Sequence, residues 1–379
     1  MTNSTPKTAA KKTTPIESLA AKIPARARGG RSRKDPIYTA TAMQLATYSL
    51  ARYPDRESAR ARMGATLDYL AEKVRGVKTW MGPALKLIVL PEYLLTSFPE
   101  GEPVPQWADK AALDMDGPEY DRFGEIAQSN DIFLAGNAYE KDPHFPDYYF
   151  QTSFIVAPSG DVILRYRRLN SMFSPSPHDV WDKYLDIYGL DAVFPVVDTV
   201  IGRLAPIASE EILYPEVARC FAMRGAEVFT HSSSEFASPL QTRKDAAKIC
   251  RAVENIAYVV SANTGGIRDT EMPPDSSNGG SRIIDFRGKL LRLSGPGDSS
   301  GASAEIDLSA LRRERRKTGL NNTLIRQRFE AYAASYASHT FQPVNSLLKK
   351  DGSLRAPQRK HFIDTQKAVI AGLSKKGII

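Results

Sequence analysis

The sequence predicts an α/β fold, and three observations carry that prediction. Between residues 37 and 310, apolar runs of strand length alternate with segments of helical periodicity. Glycine-bearing turn signals separate adjacent strands. Polar residues follow directly after several apolar runs, at the strand ends where α/β proteins place ligands.

The elements follow in order. Ile37–Leu45, built of small and β-branched residues, reads as a first strand. Residues 56–80 form a helix, because Met63, Leu67, Leu70 and Val74 recur at three- and four-residue steps. Leu85–Leu90 is continuously apolar and reads as a strand covered on both faces. A short helix over 118–130 precedes the strand Ile132–Ala138. Tyr149–Pro158 and Val162–Tyr166 flank the turn Ser159-Gly160-Asp161. The second half continues with strand Val200–Ile207, helix Tyr214–Arg224 and strand Ala226–Thr230. Helix Thr242–Asn255 leads into strand Ala257–Ala262, and Ser281–Asp285 pairs with Lys289–Leu293 through Phe286-Arg287-Gly288. No repeat of solenoid period occurs.

Charge divides the chain into three parts. The whole carries a net charge of +8, but residues 1–37 hold +7, residues 311–379 hold +11, and residues 38–310 hold −10. An acidic body therefore bears two basic ends, and the overall basicity says nothing about the body's own ligand. Residues 1–36 are expected to be a disordered basic tail, poor in aromatics and without the apolar core of a secretory signal. Their scarcity of acids leaves a transit peptide open, beside a solvated tail or an arm that docks on a neighbouring subunit. Residues 37–310 form the expected folded domain. Residues 311–379 read as a basic arm, with Phe329, Tyr332, Tyr336 and Phe341 as apolar anchors at a subunit interface.

Composition excludes several classes. No run approaches the ~18–20 apolar residues that span a bilayer, so no membrane partner is expected. A basic tail without interleaved aromatics or zinc spacing argues against nucleic acid. Two cysteines build no disulfide framework and favour a reducing, cytoplasmic setting. No His/Cys/Asp cluster has metal-ligand spacing, and no glycine loop cradles phosphate, so neither a metal nor a cofactor is expected.

Several short motifs stand in order: Ala42-Met43-Gln44, Pro91-Glu92 after the apolar run, and Tyr166-Arg167-Arg168. The elbow Ser209-Glu210-Glu211-Ile212-Leu213-Tyr214-Pro215-Glu216-Val217-Ala218-Arg219 follows, then Gly225-Ala226-Glu227. Arg251-Ala252-Val253-Glu254-Asn255-Ile256-Ala257-Tyr258-Val259-Val260-Ser261-Ala262-Asn263 is the last. Over roughly residues 37–310 this set resembles the nitrilase superfamily of carbon–nitrogen hydrolases. Members commonly read Pro-Glu, then Tyr-Arg-Lys, then Cys-Tyr-Asp-x-x-Phe-Pro-Glu-x-x-Arg, with Glu, Lys and Cys as the catalytic groups. The resemblance implies a four-layer α-β-β-α sandwich that pairs with itself as a homodimer or larger.

It also implies roles. Glu92 matches the general base that moves a proton from the attacking group to the departing amine. Glu140 matches an accessory carboxylate that positions base and cation. Arg168 stands where the family has the oxyanion-stabilising lysine; a guanidinium keeps the charge but is longer, planar and no proton donor. It also suits a carboxylate ligand, or a clamp on Glu92 and Glu140. Ser209 stands where the family has its thiol, and a serine needs a stronger base than a thiolate does. Glu210 adds an acid where an aromatic is usual. His231, closing a strand, is the histidine best placed for a pocket. Cys220 and Cys250 read as small core residues. Ser276–Ser281 reads as a loop. Glu216, Arg219, Glu254 and Asn255 read as scaffold tying the elbow to the later helix.

Three functions remain open. The first is hydrolysis or acyl transfer at a non-peptide C–N bond of a small amide, through Glu92, Arg168 and Ser209. The second is a catalytically silent homologue that binds a small, carboxylate-bearing or otherwise anionic ligand, or a protein partner. The third is a structural role for the basic ends.

Overall fold

A computed structural model describes residues 36–236 and 242–379. The expected tail over residues 1–36 lies, apart from Pro36, outside the described residues.

Two six-stranded sheets form the centre. In the first, the strands are β1 (Ile37–Gln44), β2 (Leu85–Val89), β3 (Phe133–Asp142), β4 (Phe145–Val156), β5 (Val162–Arg167) and β12 (Ser299–Asp307), in the order β12-β1-β2-β3-β4-β5. The second holds β6 (Val197–Thr199), β7 (Gly202–Ala208), β8 (Val228–Ser233), β9 (Tyr258–Asn263), β10 (Arg282–Ile284) and β11 (Leu290–Leu293), in the order β11-β10-β9-β8-β7-β6. Helices α1 (Arg56–Met81) and α3 (Pro118–Ser129) cover the first sheet, α5 (Pro215–Met223) and α6 (Arg243–Asn255) the second. This is the α-β-β-α sandwich that the motifs imply.

Period-two alternation explains the layering. In β2, Leu87 and Val89 enter the core between the sheets and Ile88 faces the core under α1 and α3; a register shift at the start of the strand turns Leu85 to that same side. Phe133 and Ala135 of β3 alternate with Leu134 in the same way. Helix α1 buries Met63, Leu67, Leu70 and Val74 as one stripe; Asp55 caps its start by accepting from Ser58 N at 2.8 Å.

Several elements differ from the sequence reading. The strand expected from Val200 is a hairpin, β6 and β7. Gly202 has φ +106°, and a Cβ there would lie 2.4 Å from Leu308, so the turn requires glycine. β4 starts at Phe145, four residues before the expected start, because Asp142 accepts from His144 N at 2.7 Å and closes the turn from β3. β12 was not expected: its run of small and polar residues lacks β-branched signal, yet it pairs antiparallel along β1. Helices α2 (Val104–Ala111) and α4 (Trp181–Tyr188) were also missed.

Helix α7 (Leu308–Arg316) crosses the boundary read at residue 310, with Leu308 and Leu311 buried in the inter-sheet core. Two more helices follow, α8 (Phe329–Ala337) and α9 (Arg359–Lys375). The arm folds partly onto its own subunit, where Leu347 and Phe362 join Phe145, Tyr148, Phe150 and Tyr184 in a third cluster. Phe329, Tyr332, Tyr336 and Phe341 remain exposed. No helix among the described residues is long and apolar enough to cross a membrane.

Candidate active site

The C-terminal ends of four strands meet at one cavity of about 960 Å³. Glu92 follows β2, Arg168 follows β5, Ser209 follows β7 and Ser234 follows β8; all four line it. β2 and β3 run parallel, as do β7 and β8, so their polar ends are delivered to one side.

Ser209 sits where the strand breaks into a 3-10 turn, at φ +43°. A non-glycine residue in this region is unfavourable by roughly 1–3 kcal/mol and persists only where its surroundings hold it. They do so here. Ser209 O accepts from His231 Nε2 at 2.8 Å, and Arg251 of α6 donates to Ile212 O at 2.9 Å and Leu213 O at 3.3 Å. Ser209 Oγ accepts from Lys244 Nζ at 3.2 Å. No hydrogen bond joins Ser209 to Glu92 among the described residues.

Glu92 is buried, and accepts from Ser234 Oγ at 2.6 Å and Arg168 Nη1 at 3.4 Å. Arg168 donates through Nε to Asn170 O at 2.9 Å and through Nη2 pairs closely with Glu210. Burial works against the Arg168 charge, but Tyr93, Glu210 and Glu92 outweigh it and hold the guanidinium protonated. Glu211, fully buried, accepts from the backbone N–H groups of Leu169 (3.0 Å) and Asn170 (2.9 Å) and from Tyr166 OH (2.7 Å). It thereby fixes the turn that carries Arg168. Burial pushes its carboxyl up, against the pull of Arg168.

Arg168 is thus a clamp on Glu92 and Glu210, not on Glu140. Glu140 does not line the cavity; its carboxylate accepts from Tyr120 OH at 2.6 Å and Arg165 Nε at 2.9 Å. His231 is also off the cavity wall. It is fully buried, with Nδ1 2.8 Å from Ser261 Oγ. Because a carbonyl only accepts, Nε2 carries the proton toward Ser209 O and Nδ1 accepts from Ser261. Burial and then the Lys248 charge push His231 down to about 3, so it stays neutral.

The sequence reading missed Lys244, Glu235 and Lys248. Burial raises Glu235, but Lys248 and Lys244 outweigh that and bring it to about 2. Asn263 Oδ1 accepts from Glu235 N at 2.7 Å, which ties the end of β9 to this group. Lys244 arrives from α6, 76 residues after Arg168 along the chain. Its one signal was Thr242-Arg243-Lys244-Asp245, the capping box that starts that helix. Tyr93, Tyr139 and Tyr149 form an aromatic wall: the first two stack at 4.2 Å, and Tyr149 meets Tyr139 edge-on at 5.0 Å.

Two scaffold readings change. Glu216 accepts from Tyr336 OH at 2.8 Å, so it joins the elbow to the arm rather than to the later helix. Cys250 is exposed, not a core residue, because α6 turns Ala247, Arg251 and Ala252 inward; Cys220 is half-buried. Among the described residues no group of three or more His, Cys, Asp or Glu side chains could hold a metal ion.

The carbon–nitrogen hydrolase family profile matches residues 39–316. The chain belongs to this family. A formamidase of Bacillus cereus (strain B4264) is 28% identical over 221 residues, covering 58% of this chain and 62% of that protein, so the chain spans about six-tenths of that relative's length. Among solved structures, Saccharomyces cerevisiae Nit3, a member of branch 10 of the nitrilase superfamily, aligns with a TM-score of 0.57 at 21% identity, over 75% of this chain and 95% of that one. A variant of an amidase from Nesterenkonia sp. AN1 in complex with butyramide aligns with a TM-score of 0.55 at 18% identity, over 80% of this chain and 98% of that one. These likenesses concern the fold.

Proposed function

We propose that this protein hydrolyses the C–N bond of a small non-peptide amide, with Ser209 as nucleophile and Glu92 as general base. The observation that carries this is the placement of Ser209, held at φ +43° by its backbone contacts, on the same 960 Å³ cavity as the Glu92 carboxylate. Glu92 takes the Ser209 proton as Oγ attacks the carbonyl carbon, and returns it to the nitrogen that leaves as ammonia. Water then cleaves the Ser209 ester. Arg168 keeps Glu92 aimed rather than touching substrate. The formamidase relative and the butyramide-bound amidase support simple amides as the first substrates to try.

A second reading has its own observation. Arg243 and Arg359 line the cavity, and among the described residues neither forms an ion pair with a carboxylate. Such a rim favours an anionic ligand, which a catalytically silent homologue would hold without turning it over.

Ammonia release from formamide, butyramide, acrylamide and succinamate separates the two. Turnover that disappears in Ser209→Ala and in Glu92→Gln supports hydrolysis. Tight binding of succinamate with no ammonia released by the intact protein supports the silent reading. Self-association through the arm and a reducing compartment belong to the same proposal.

A further inference from the structure

We propose that Lys244, rather than Arg168, supplies the positive charge that stabilises the Ser209 oxygen and the oxyanion of the acyl-transfer step. The inference rests on the reading of Ser209 as nucleophile and assigns a catalytic group to it.

The assignment comes from which cation is already committed to carboxylates. Arg168 donates through Nε to Asn170 O, through Nη1 to Glu92 and through Nη2 to Glu210, so two carboxylates already share its charge. Lys248 is committed to Glu235 and Asp245. Lys244 donates to Ser209 Oγ at 3.2 Å, and among the described residues no carboxylate lies within ion-pair distance of its Nζ. A lysine ammonium has three donors. One meets Ser209, which leaves the others for a carbonyl oxygen arriving at the same cavity.

Lys244 is not placed for helix stability. It lies in the first turn of α6, where the helix macrodipole is positive and a cation is disfavoured. Its position is fixed from several sides. Thr242 Oγ1 donates to Glu235 at 3.2 Å, Lys248 pairs with the same carboxylate, and Arg251 holds Ile212 O. Helix α6 is therefore docked onto the elbow that carries Ser209, which keeps the Lys244 backbone within side-chain reach of the hydroxyl.

During acylation the Ser209 proton passes to Glu92, Oγ bonds to the carbonyl carbon, and the carbonyl π electrons move onto oxygen beside Nζ. The C–N bond then breaks, the proton on Glu92 goes to nitrogen, and ammonia leaves. Lys244 remains an ammonium throughout. A preorganised donor of this kind is worth about 100-fold or more in rate.

The test is the rate of phosphonylation of Ser209 by an alkyl fluorophosphonate, read by intact mass, in the full-length protein and in Lys244→Met, Lys244→Arg and Ser209→Ala. In that reaction Oγ displaces fluoride and the hydroxyl proton passes to Glu92. The proposal expects labelling to fall about 100-fold in Lys244→Met, to recover in part in Lys244→Arg, and to vanish in Ser209→Ala. The thermal midpoint of Lys244→Met should match that of the parent, and added methylammonium should restore part of its rate. Equal labelling of the parent and Lys244→Met, with none in Ser209→Ala, removes the Lys244 assignment and leaves Ser209 as nucleophile. An intact protein that is never labelled at Ser209 removes both.

Discussion

Replacing His231 with glutamine removes a pH dependence whose size follows from the structure. His231 is fully buried between Ser209 O and Ser261 Oγ, and Lys248 and Lys244 oppose its protonation while Glu235 favours it. Its folded value is about 3, against 6.5 ordinarily. The unfolded chain therefore binds the proton first, so the stabilisation is complete above 6.5 and is lost as pH falls toward 3. At pH 5 the loss from this group is ~2 kcal/mol, from 1.36 kcal/mol per unit over the interval below 6.5. Glu235 acts in a lower window. Its folded value is about 2 against 4.5, so its contribution is present above 4.5 and lost as pH falls toward 2. Urea unfolding at about pH 8 and about pH 5 isolates the histidine, because Glu235 is ionised at both. Glutamine keeps a donor for Ser209 O and an acceptor for Ser261. His231→Gln should lose ~2 kcal/mol less than the parent between the two pH values. An identical loss in both proteins would refute the argument that His231 folds as a neutral ring.

Other consequences can be measured separately. Arg168→Met leaves the buried Glu92 without its cation and should destabilise the fold by ~3–5 kcal/mol in urea titration, whereas a change below ~1 kcal/mol would deny that Arg168 is a clamp. Leu70→Ala opens a hole under the first sheet and should cost ~2–5 kcal/mol by the same measurement, with the m-value unchanged. Tyr332→Ser combined with Phe341→Ser should reduce the oligomer seen by light scattering if these exposed rings pack against a second copy; an unchanged mass would detach the arm from assembly.

Much of the fold was legible because periodicity is a local property. Met63, Leu67, Leu70 and Val74 announced their helix, and Leu85–Val89 announced a strand covered on both faces. β12 was invisible because Ser299–Asp307 has no intrinsic strand preference and is held by β1. The site was legible in part through the ordered motifs and the family they resemble, not through periodicity. Glu92, Arg168, Ser209 and Glu210 each follow a recognisable strand or turn, and they meet at the cavity. Lys244 belongs to α6, and only the docking of that helix on the elbow brings it beside Ser209; Glu235 follows β8 and pairs with Lys248 of the same helix. Glu140 and His231 matched by position along the chain, but their side chains turn to Arg165 and to Ser209 O instead of the cavity. A strand-end position specifies where a backbone arrives; which partner captures the side chain is decided by residues far away in sequence.

The central claim is that the Ser209 hydroxyl attacks an amide carbonyl with Glu92 taking its proton. Intact-mass analysis of the protein quenched during turnover of a small amide tests it most directly. The account predicts a mass increase equal to the acyl group, mapped to Ser209 and missing from both Ser209→Ala and Glu92→Gln. Undiminished amide hydrolysis by Ser209→Ala would contradict it.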